Sequence, residues 1–278
     1  MGFVKRVIGF IRRHLRRPVK ILPVYVPVLK NDLLKGRRAL ITGGSSGIGL
    51  AMAKAFLDAG AEVIITGRRK EALDDAVKKL PSDRLHALEL DNREVERFAD
   101  KLRECCDRFG VPDVLVNNAG TIVCKTFGDT ELENYNQILD TNLRGSYFLS
   151  QEMAKIWKSQ KVCANILNVG SSSSLRPGNS PYVLSKWGVR AMTLGLAKEL
   201  IGDGIVVNGI APGPTATKLF VKDGEGIERP ASPARRLCTE EEVAGLAVIM
   251  VSDMARMVVG DMLYVTGGSG VITVDDVG

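Results

Sequence analysis

From Arg37 onwards, short apolar runs alternate with longer amphipathic segments, which leaves few folds open to the chain. The apolar runs read RALIT, EVIIT, LHALEL, DVLVNN, ANILNVG, GIVVNGI and DMLYVT in chain order. Segments such as GIGLAMAKAFLDAG and TEEEVAGLAVIMVSD lie between them and show helical periodicity. Strands that alternate with helices predict right-handed crossovers and a parallel sheet covered on both faces. We therefore expect one α/β domain over residues 37–278, because no linker or repeat interrupts this part of the chain.

Residues 1–36 differ from the rest in charge and pattern. They carry nine Lys or Arg residues against Asp32 alone, a net charge of +8, so the total of +6 leaves −2 for the remainder. MGFVKRVIGFIRRHLRR places apolar residues on one helical face, and the prolines that follow prevent the helix from continuing. A basic amphipathic helix predicts peripheral contact with an anionic membrane. A mitochondrial presequence, or docking of PVYVPVL on the folded domain or a neighbouring subunit, are the alternatives.

Composition argues against several classes of protein. No run reaches the roughly 18 apolar residues that span a bilayer, so we expect a cytoplasmic protein with membrane contact only at the surface. Five scattered cysteines and two isolated histidines lack metal-ligand spacing, which predicts reduced thiols and no metal site. Because the basic excess lies in residues 1–36, nothing in the remainder predicts a nucleic-acid-binding surface.

The first apolar run leads directly into a glycine-rich turn. Thr42, Gly43, Gly47 and Gly49 form a TGxxxGxG pattern between RALIT and the next helix. Glycines let the backbone approach a pyrophosphate, whose charge then lies at the amino end of the helix. We therefore predict that a dinucleotide binds at Gly43, Ser45, Ser46, Gly47, Ile48 and Gly49.

Two arginines follow the second apolar run, where a dinucleotide fold contacts the adenosine ribose. An acidic residue there would bind the ribose 2′-hydroxyl, whereas the guanidinium groups of Arg68 and Arg69 favour a 2′-phosphate. The pair predicts NADP as the cofactor, with NADPH favoured over NADH. A solvated basic turn is the alternative. Ser46 precedes Gly47 where a basic residue could have supplied a second contact to the 2′-phosphate.

Tyr182 and Lys186 are four residues apart in a segment with helical pattern, SPYVLSKWGVRAMT, so their side chains share one face. A phenol has an unperturbed pKa of about 10, and an adjacent ammonium, together with the positive charge of an oxidised nicotinamide, stabilises the phenolate. The pair predicts a proton donor, Tyr182, whose pKa Lys186 lowers. Considered without its context, the pair favours a packed tyrosine over a catalytic one.

Six motifs occur in one order along the chain: TGGSSGIG, NNAG, TNLRG, a run of four serines, YxxxK and PGPTAT. Together they resemble the short-chain dehydrogenase/reductase family, from Lys35 to Gly270. The resemblance implies a single Rossmann-like, doubly wound domain with a seven-stranded parallel sheet. It also implies a homodimer or homotetramer, and hydride transfer between a nicotinamide and the carbonyl or alcohol carbon of a small molecule.

The resemblance implies a role for each matching residue. Tyr182 would be the general acid, Lys186 would lower its pKa and contact the nicotinamide ribose, and Asn142 would hold a water on a proton relay. The other implied cofactor contacts are Asp91 and Asn92 beside the adenine, Asn118, Ala119 and Gly120 against the adenosine, and Pro212, Gly213, Thr215 and Thr217 around the nicotinamide carboxamide.

The catalytic serine is harder to place. The family's serine usually stands thirteen residues before the tyrosine, a position that holds Val169 here. Alignment by the end of the apolar strand points to Ser171, with Ser172 as the alternative, and leaves Ser173 and Ser174 as polar loop residues. Ser171 would donate a hydrogen bond to the developing oxyanion and would not act as a nucleophile.

The segment after PGPTAT selects the substrate in this family, and here it is rich in glycine, proline and charge. Its composition predicts a small or polar carbonyl substrate instead of a steroid. Its basic residues, which could attract an anion, are Lys218, Lys222, Arg229, Arg235 and Arg236. The alternative to an enzyme is a membrane-associated scaffold that binds the dinucleotide without turnover.

Overall fold

A computed structural model describes residues 32–122, 127–217 and 226–271. The seven strands of these residues are β1 Arg38–Thr42, β2 Glu62–Gly67, β3 Leu85–Glu89, β4 Val114–Asn117, β5 Ala164–Val169, β6 Ile205–Pro212 and β7 Met262–Val265. Their α-helices are α1 Gly47–Asp58, α2 Lys70–Lys79, α3 Phe98–Phe109, α4 Leu132–Leu139, α5 Gly145–Gln160, α6 Pro181–Leu200 and α7 Glu240–Val251. A π-helical segment, Asp140–Arg144, joins α4 to α5, and a 3₁₀ turn, Ser172–Leu175, follows β5.

The strands form one sheet in the order β3-β2-β1-β4-β5-β6-β7. Every neighbouring pair is parallel. Each of the seven apolar runs forms a strand, so the predicted seven-stranded parallel α/β fold is confirmed. The strand order reverses between β1 and β4, and in open sheets of this kind ligands bind at the carboxyl ends of the strands beside that point. We call this region the crevice.

Alternate strand residues pack into two separate cores, one on each face of the sheet. Ile41 of β1 and Val116 of β4 face a core that α1 and α7 complete. Leu40 and Leu115 face the opposite core, which α3, α5 and α6 complete. Because both faces are covered, the central strands β1, β4, β5 and β6 are buried along almost their whole length, as expected for a parallel sheet.

A polar cluster joins the strands at the end of the sheet opposite the crevice. The Arg37 guanidinium donates to the Asp113 carboxylate, to Asn165 Oδ1 at 2.7 Å and to the carbonyl of Val251 at 3.3 Å. The other Asp113 carboxylate oxygen accepts from the backbone N–H of Arg38 at 2.7 Å. The cluster therefore fixes the starts of β1 and β5 and the end of α7 relative to one another.

Residues 1–31, most of the predicted basic extension, lie outside the described residues. Leu34 is fully buried, although it precedes the predicted start of the domain, and its N–H donates to the Ala59 carbonyl at 2.8 Å. The boundary at residue 37 remains a prediction. In the part of the chain that the structure covers, no helix has the length and apolar character needed to cross a membrane.

Candidate active site

The glycine-rich turn lies at the carboxyl end of β1 and leads into α1. Gly47, the first residue of α1, has a φ of +58°, a conformation that L side chains rarely adopt. A Cβ on Gly49 would lie 2.5 Å from Asn118 Nδ2 and closer still to the Gly43 carbonyl oxygen. Only glycine fits this close approach of backbone to backbone. The turn thus exposes the amino end of a 12-residue helix, the feature that binds a pyrophosphate.

Asn118 and Thr42 hold this turn against β4. Asn118 Nδ2 donates to the Thr42 carbonyl at 2.9 Å and to the Gly43 carbonyl at 3.2 Å. Thr42 Oγ1 accepts from the N–H groups of Asn118 at 3.0 Å and Ala119 at 2.9 Å. Both donations of Asn118 Nδ2 therefore position the turn. The adenosine contact predicted from the sequence would have to use other atoms of Asn118.

Arg68 and Arg69 follow β2 at the edge of the crevice, and both are exposed. Arg68 also borders a cavity of about 190 Å³ that Asp91 and the first residues of α3 line. The Arg93 guanidinium donates to both Asp91 carboxylate oxygens and holds the pKa of Asp91 below its usual value. Asn92 is buried beside this carboxylate, so both residues predicted to flank the adenine lie at the end of β3.

Asn142 lies in the π-helical segment between α4 and α5 and is almost fully buried. Its Oδ1 accepts from the Thr121 N–H at 2.7 Å, and its Nδ2 donates to the Thr121 carbonyl at 3.0 Å and to Ser185 Oγ at 3.1 Å. Ser146 Oγ donates to the Asn142 carbonyl at 3.2 Å. The Asn142 side chain thus connects the segment after β4 to α6. The Asn142 backbone carbonyl, which the resemblance predicts to hold a water, accepts a hydrogen bond from Ser146.

The four predicted catalytic residues lie together at the carboxyl ends of β4 and β5. Gly120 shows their proximity, since a Cβ at this glycine would lie 3.5 Å from Asn142 Oδ1 and 3.8 Å from Lys186 Nζ. Ser171 caps the 3₁₀ turn that follows β5, and its Oγ accepts from the Ser173 N–H at 3.1 Å. Burial next to this turn raises the pKa of the Tyr182 phenol, and hydrogen bonding from the Ser171 side chain acts in the opposite direction, which places the two side chains next to each other.

Tyr182 starts α6, at the second residue of the helix, and Lys186 lies one turn further along. Burial raises the pKa of the Tyr182 phenol above its ordinary value, and the hydrogen bond with Ser171 opposes this increase. Burial therefore outweighs hydrogen bonding in the chain alone. The predicted lowering of this pKa, by Lys186 together with the charge of an oxidised nicotinamide, stays a prediction.

Lys186 is almost completely buried, and its Nζ lies 5.8 Å from the centroid of the Tyr182 ring. The ammonium donates to the Val169 carbonyl at 2.9 Å. Burial lowers the pKa of Lys186 to about 8, so the group remains mostly protonated at neutral pH. The helix thus places a buried cation beside the phenol, as its four-residue spacing predicts.

The segment Pro212–Thr217 begins at the end of β6, where the nicotinamide end of the cofactor is predicted. Thr215 pairs with Cys238 in a short parallel bridge, in which the Ala216 N–H donates to the Cys238 carbonyl at 2.8 Å. Thr215 Oγ1 donates to the Gly213 carbonyl at 2.9 Å. The hydroxyl of Thr215 therefore stabilises this turn.

Arg236, predicted to attract an anionic substrate, forms an ion pair within the chain instead. Its guanidinium donates to both carboxylate oxygens of Glu242, at 2.8 Å and 2.5 Å, and these bonds lower the pKa of Glu242 to about 2. Glu242 also completes the capping box of α7 with Thr239. Arg236 therefore anchors the chain before α7, whereas Lys218 and Lys222 lie outside the described residues.

Sequence reasoning missed a buried polar chain beneath the site. Asn117 Nδ2 donates to Asn168 Oδ1 at 2.8 Å and to Ser150 Oγ at 2.8 Å, and Asn168 Nδ2 donates to Thr193 Oγ1 at 3.0 Å. These bonds join the ends of β4 and β5 to α5 and α6. The signal was available, because an asparagine inside each of two apolar strands needs buried partners.

The arrangement fits a dinucleotide with a carbonyl or alcohol beside Tyr182. Across the described residues, no group of three His, Cys, Asp or Glu side chains could hold a metal ion. A family model described as Enoyl-(Acyl carrier protein) reductase matches residues 43–270. A short-chain type dehydrogenase/reductase from Mycobacterium marinum is 29% identical with a TM-score of 0.80, covering 87% of this chain and 98% of its own. The chain belongs to the short-chain dehydrogenase/reductase family.

Two curated relatives and one further solved structure illustrate the range of this family. A 3alpha-hydroxysteroid dehydrogenase of Mediterraneibacter gnavus is 33% identical, over 85% of this chain and 98% of its own. A gluconate 5-dehydrogenase of Gluconobacter oxydans is 33% identical, over 84% and 95%. A gluconate 5-dehydrogenase of Burkholderia cenocepacia, in complex with NADP and tartrate, is 30% identical with a TM-score of 0.79, over 86% and 97%. Membership confirms the predicted reaction class, an NAD(P)-dependent oxidoreductase that acts on CH–OH groups.

Proposed function

We propose that this protein is an NADPH-dependent carbonyl reductase in which Tyr182 donates the proton. The observation that carries the proposal is the arrangement of Ser171, Tyr182 and Lys186. Hydrogen bonding from the serine acts to lower the pKa of the phenol, and the buried ammonium lies 5.8 Å from the centre of the tyrosine ring. All three stand at the carboxyl end of a parallel sheet, beside a glycine-rich turn suited to a dinucleotide.

Each side chain has one task in the reduction. NADPH, when bound, supplies the hydride to the carbonyl carbon. Tyr182 Oη gives its proton to the carbonyl oxygen, and a phenol with a raised pKa is protonated at neutral pH and ready to do so. Ser171 Oγ accepts from the Ser173 N–H, and its single hydrogen, directed at Tyr182 in the chain alone, turns to the developing oxyanion when a substrate is bound. The Lys186 ammonium then stabilises the phenolate that forms.

The preference for NADPH is supported by charge at the end of β2. Arg68 and Arg69 are exposed there, and the sequence from Gly67 to Lys70 contains no acidic residue that would repel a 2′-phosphate. The Burkholderia cenocepacia relative was solved with NADP, which agrees with this choice.

For the substrate we retain a small or polar carbonyl compound. Arg229 is exposed on the described part of the substrate-selecting segment and supplies positive charge for an anionic group. Relatives named for gluconate and for a hydroxysteroid make both classes necessary in a test. A screen should therefore compare keto sugar acids, 3-oxoacyl thioesters, simple ketones and 3-ketosteroids.

An oligomer is also proposed, and exposed apolar side chains on α4 and α5 support it. Leu132 and Tyr135 of α4 and Tyr147 and Phe148 of α5 are exposed in the single chain. Light scattering after size-exclusion chromatography would test the expected dimer or tetramer, and a monomer would contradict it.

The decisive experiment measures oxidation of NADPH across the carbonyl panel for the wild type and for Tyr182→Phe. Fluorescence titration of NADPH on both proteins controls for binding. We expect turnover of at least one carbonyl compound by the wild type, a loss of at least about 10²-fold in Tyr182→Phe, and similar cofactor affinity. Binding of NADPH with no tyrosine-dependent turnover would instead identify a dinucleotide-binding scaffold. Turnover of steroids far above all other compounds would refute the polar-substrate part of the proposal.

A further inference from the structure

Ser174, the last of the four consecutive serines, is fully buried, although its sequence context predicts a polar loop residue. Its N–H and its Oγ both donate to the Ser171 carbonyl, at 3.0 Å and 2.8 Å. The carbonyl that accepts from Ser174 therefore belongs to Ser171, the residue whose hydrogen bonding lowers the pKa of Tyr182.

The hydroxyl of Tyr264 completes the bonds of Ser174 from the edge of the sheet. Tyr264 lies on β7, and its hydroxyl oxygen is 3.3 Å from Ser174 Oγ. Because the Ser174 hydrogen is already directed to the Ser171 carbonyl, Tyr264 must be the donor in this second bond. Tyr264 thus donates a hydrogen bond to Ser174, and Ser174 donates one to the backbone carbonyl of Ser171.

Arg190 fixes the same turn from α6. Its Nη1 donates to the Ser174 carbonyl at 3.1 Å. Its guanidinium carbon lies 5.3 Å from the centroid of the Trp187 ring and 5.8 Å from that of Tyr264. Trp187 Nε1 in turn donates to the Arg176 carbonyl at 2.7 Å. Since α6 also carries Tyr182, one helix holds both the predicted proton donor and the turn that presents its serine partner.

We propose that Ser174 and Tyr264 are positioning residues that set the Ser171 hydroxyl against the Tyr182 phenol. The inference rests on the proposed function, because it assigns the role through Ser171 and Tyr182. Neither Ser174 nor Tyr264 needs to touch substrate or cofactor for this role. Their effect passes through the backbone of Ser171, whose φ of −167° and ψ of 154° these bonds stabilise.

A double-mutant cycle tests the coupling. Ser174→Ala removes the Oγ bond to the Ser171 carbonyl with little change in volume, and we expect kcat to fall roughly tenfold, less than the about 10²-fold that a 1 Å misplacement can cost. Tyr264→Phe should lower kcat in the same direction by a smaller factor. In a Ser171→Ala background, Ser174→Ala should change kcat by less than about twofold, because the hydroxyl that it positions is already absent.

Ser252→Ala is a matched control. Ser252 is buried, and its Oγ donates to the Ile249 carbonyl three residues earlier at 2.8 Å, the same distance and spacing as in Ser174. Ser252 lies at the end of α7, beside the carbonyl that Arg37 binds at the far end of the sheet. Its replacement should lower the melting temperature about as much as Ser174→Ala and leave kcat unchanged.

A titration of Tyr182 gives a second readout that needs no turnover. The ultraviolet absorbance of tyrosinate, taken as the difference between each protein and its Tyr182→Phe counterpart, reports the pKa of this phenol. Hydrogen bonding from Ser171 lowers that pKa, and the Lys186 ammonium of the same helix lies 5.8 Å from the centroid of the tyrosine ring. Ser174→Ala should therefore raise the Tyr182 pKa, and it should have no further effect when Ser171 is alanine.

The outcomes separate this inference from the proposed function. A wild type without Tyr182-dependent turnover would refute the proposed function, and the titration would still decide whether Ser174 positions Ser171. Losses in kcat that multiply in the double mutant, or a Tyr182 pKa that Ser174→Ala leaves unchanged, would overturn the positioning role. Coupled losses together with the shifted pKa would support it.

Discussion

Replacing Gly49 with alanine tests how closely the glycine-rich turn must approach β4. The added methyl group would lie 2.5 Å from Asn118 Nδ2 and closer still to the Gly43 carbonyl oxygen. Neither neighbour can withdraw freely, because the Asn118 amide donates to the Thr42 carbonyl at 2.9 Å and to the Gly43 carbonyl at 3.2 Å. Accommodating the methyl group requires these bonds to break and the turn to shift.

The magnitude follows from those contacts. Two hydrogen bonds at about 1 kcal/mol each give about 2 kcal/mol. Overpacking of a tight site adds about 1 to 3 kcal/mol. We therefore expect Gly49→Ala to lose about 3 to 5 kcal/mol, divided between the free energy of unfolding and the affinity for NADPH. A loss of 3 kcal/mol expressed entirely in binding is an increase of about 10²-fold in Kd.

Urea unfolding and NADPH fluorescence titration measure the two parts. Gly195→Ala is the control, since Gly195 is exposed within α6 and a Cβ there would meet no atom within 4 Å. Alanine should stabilise that helix by roughly 0.5 to 1 kcal/mol. If Gly49→Ala matched the wild type in both measurements, the close approach described for the turn would be wrong.

Three further outcomes follow from the site. Burial lowers the pKa of Lys186 to about 8, so kcat/KM with NADPH varied should be level below pH 7 and should fall as the pH rises through about 8. Lys186→Arg should abolish this inflection, because a guanidinium group stays charged over the whole range. An unchanged inflection in that variant would assign it to another group. Arg68→Ala should reduce the preference for NADPH over NADH by about 10-fold to 10²-fold in kcat/KM, the value of a charge-assisted hydrogen bond, and an unaltered ratio would remove Arg68 from phosphate recognition. Ser171→Ala should depress kcat more than Ser172→Ala, and the reverse order would reassign the oxyanion donor.

The sequence predicts the sheet well because its signal is local. Each apolar run is long enough for one strand, and the helices between them impose parallel pairing. Asn117 and Asn168 interrupt two of these runs without changing the strands, because each finds a buried amide or hydroxyl partner.

The sequence predicted the contacts of the site between residues that are close in the chain, and it missed those between residues that are far apart. Tyr182 and Lys186 share a helical face, so their spacing alone brings them together. The bond from Tyr264 to Ser174 joins residues 90 positions apart, and no pattern in the sequence encodes that distance. The sign of the Tyr182 pKa shift also required the structure, because burial depends on packing that no local motif reveals.

The bridge between Thr215 and Cys238 has a consequence for how substrate choice can evolve. It brings together the two ends of the segment predicted to select the substrate, and the Arg236–Glu242 ion pair flanks Cys238 in the sequence. A closed loop tolerates changes in length, since each doubling costs only about 0.6 kcal/mol in closure entropy. We therefore expect the segment between Thr215 and Cys238 to tolerate insertions and deletions with little effect on the stability of the domain.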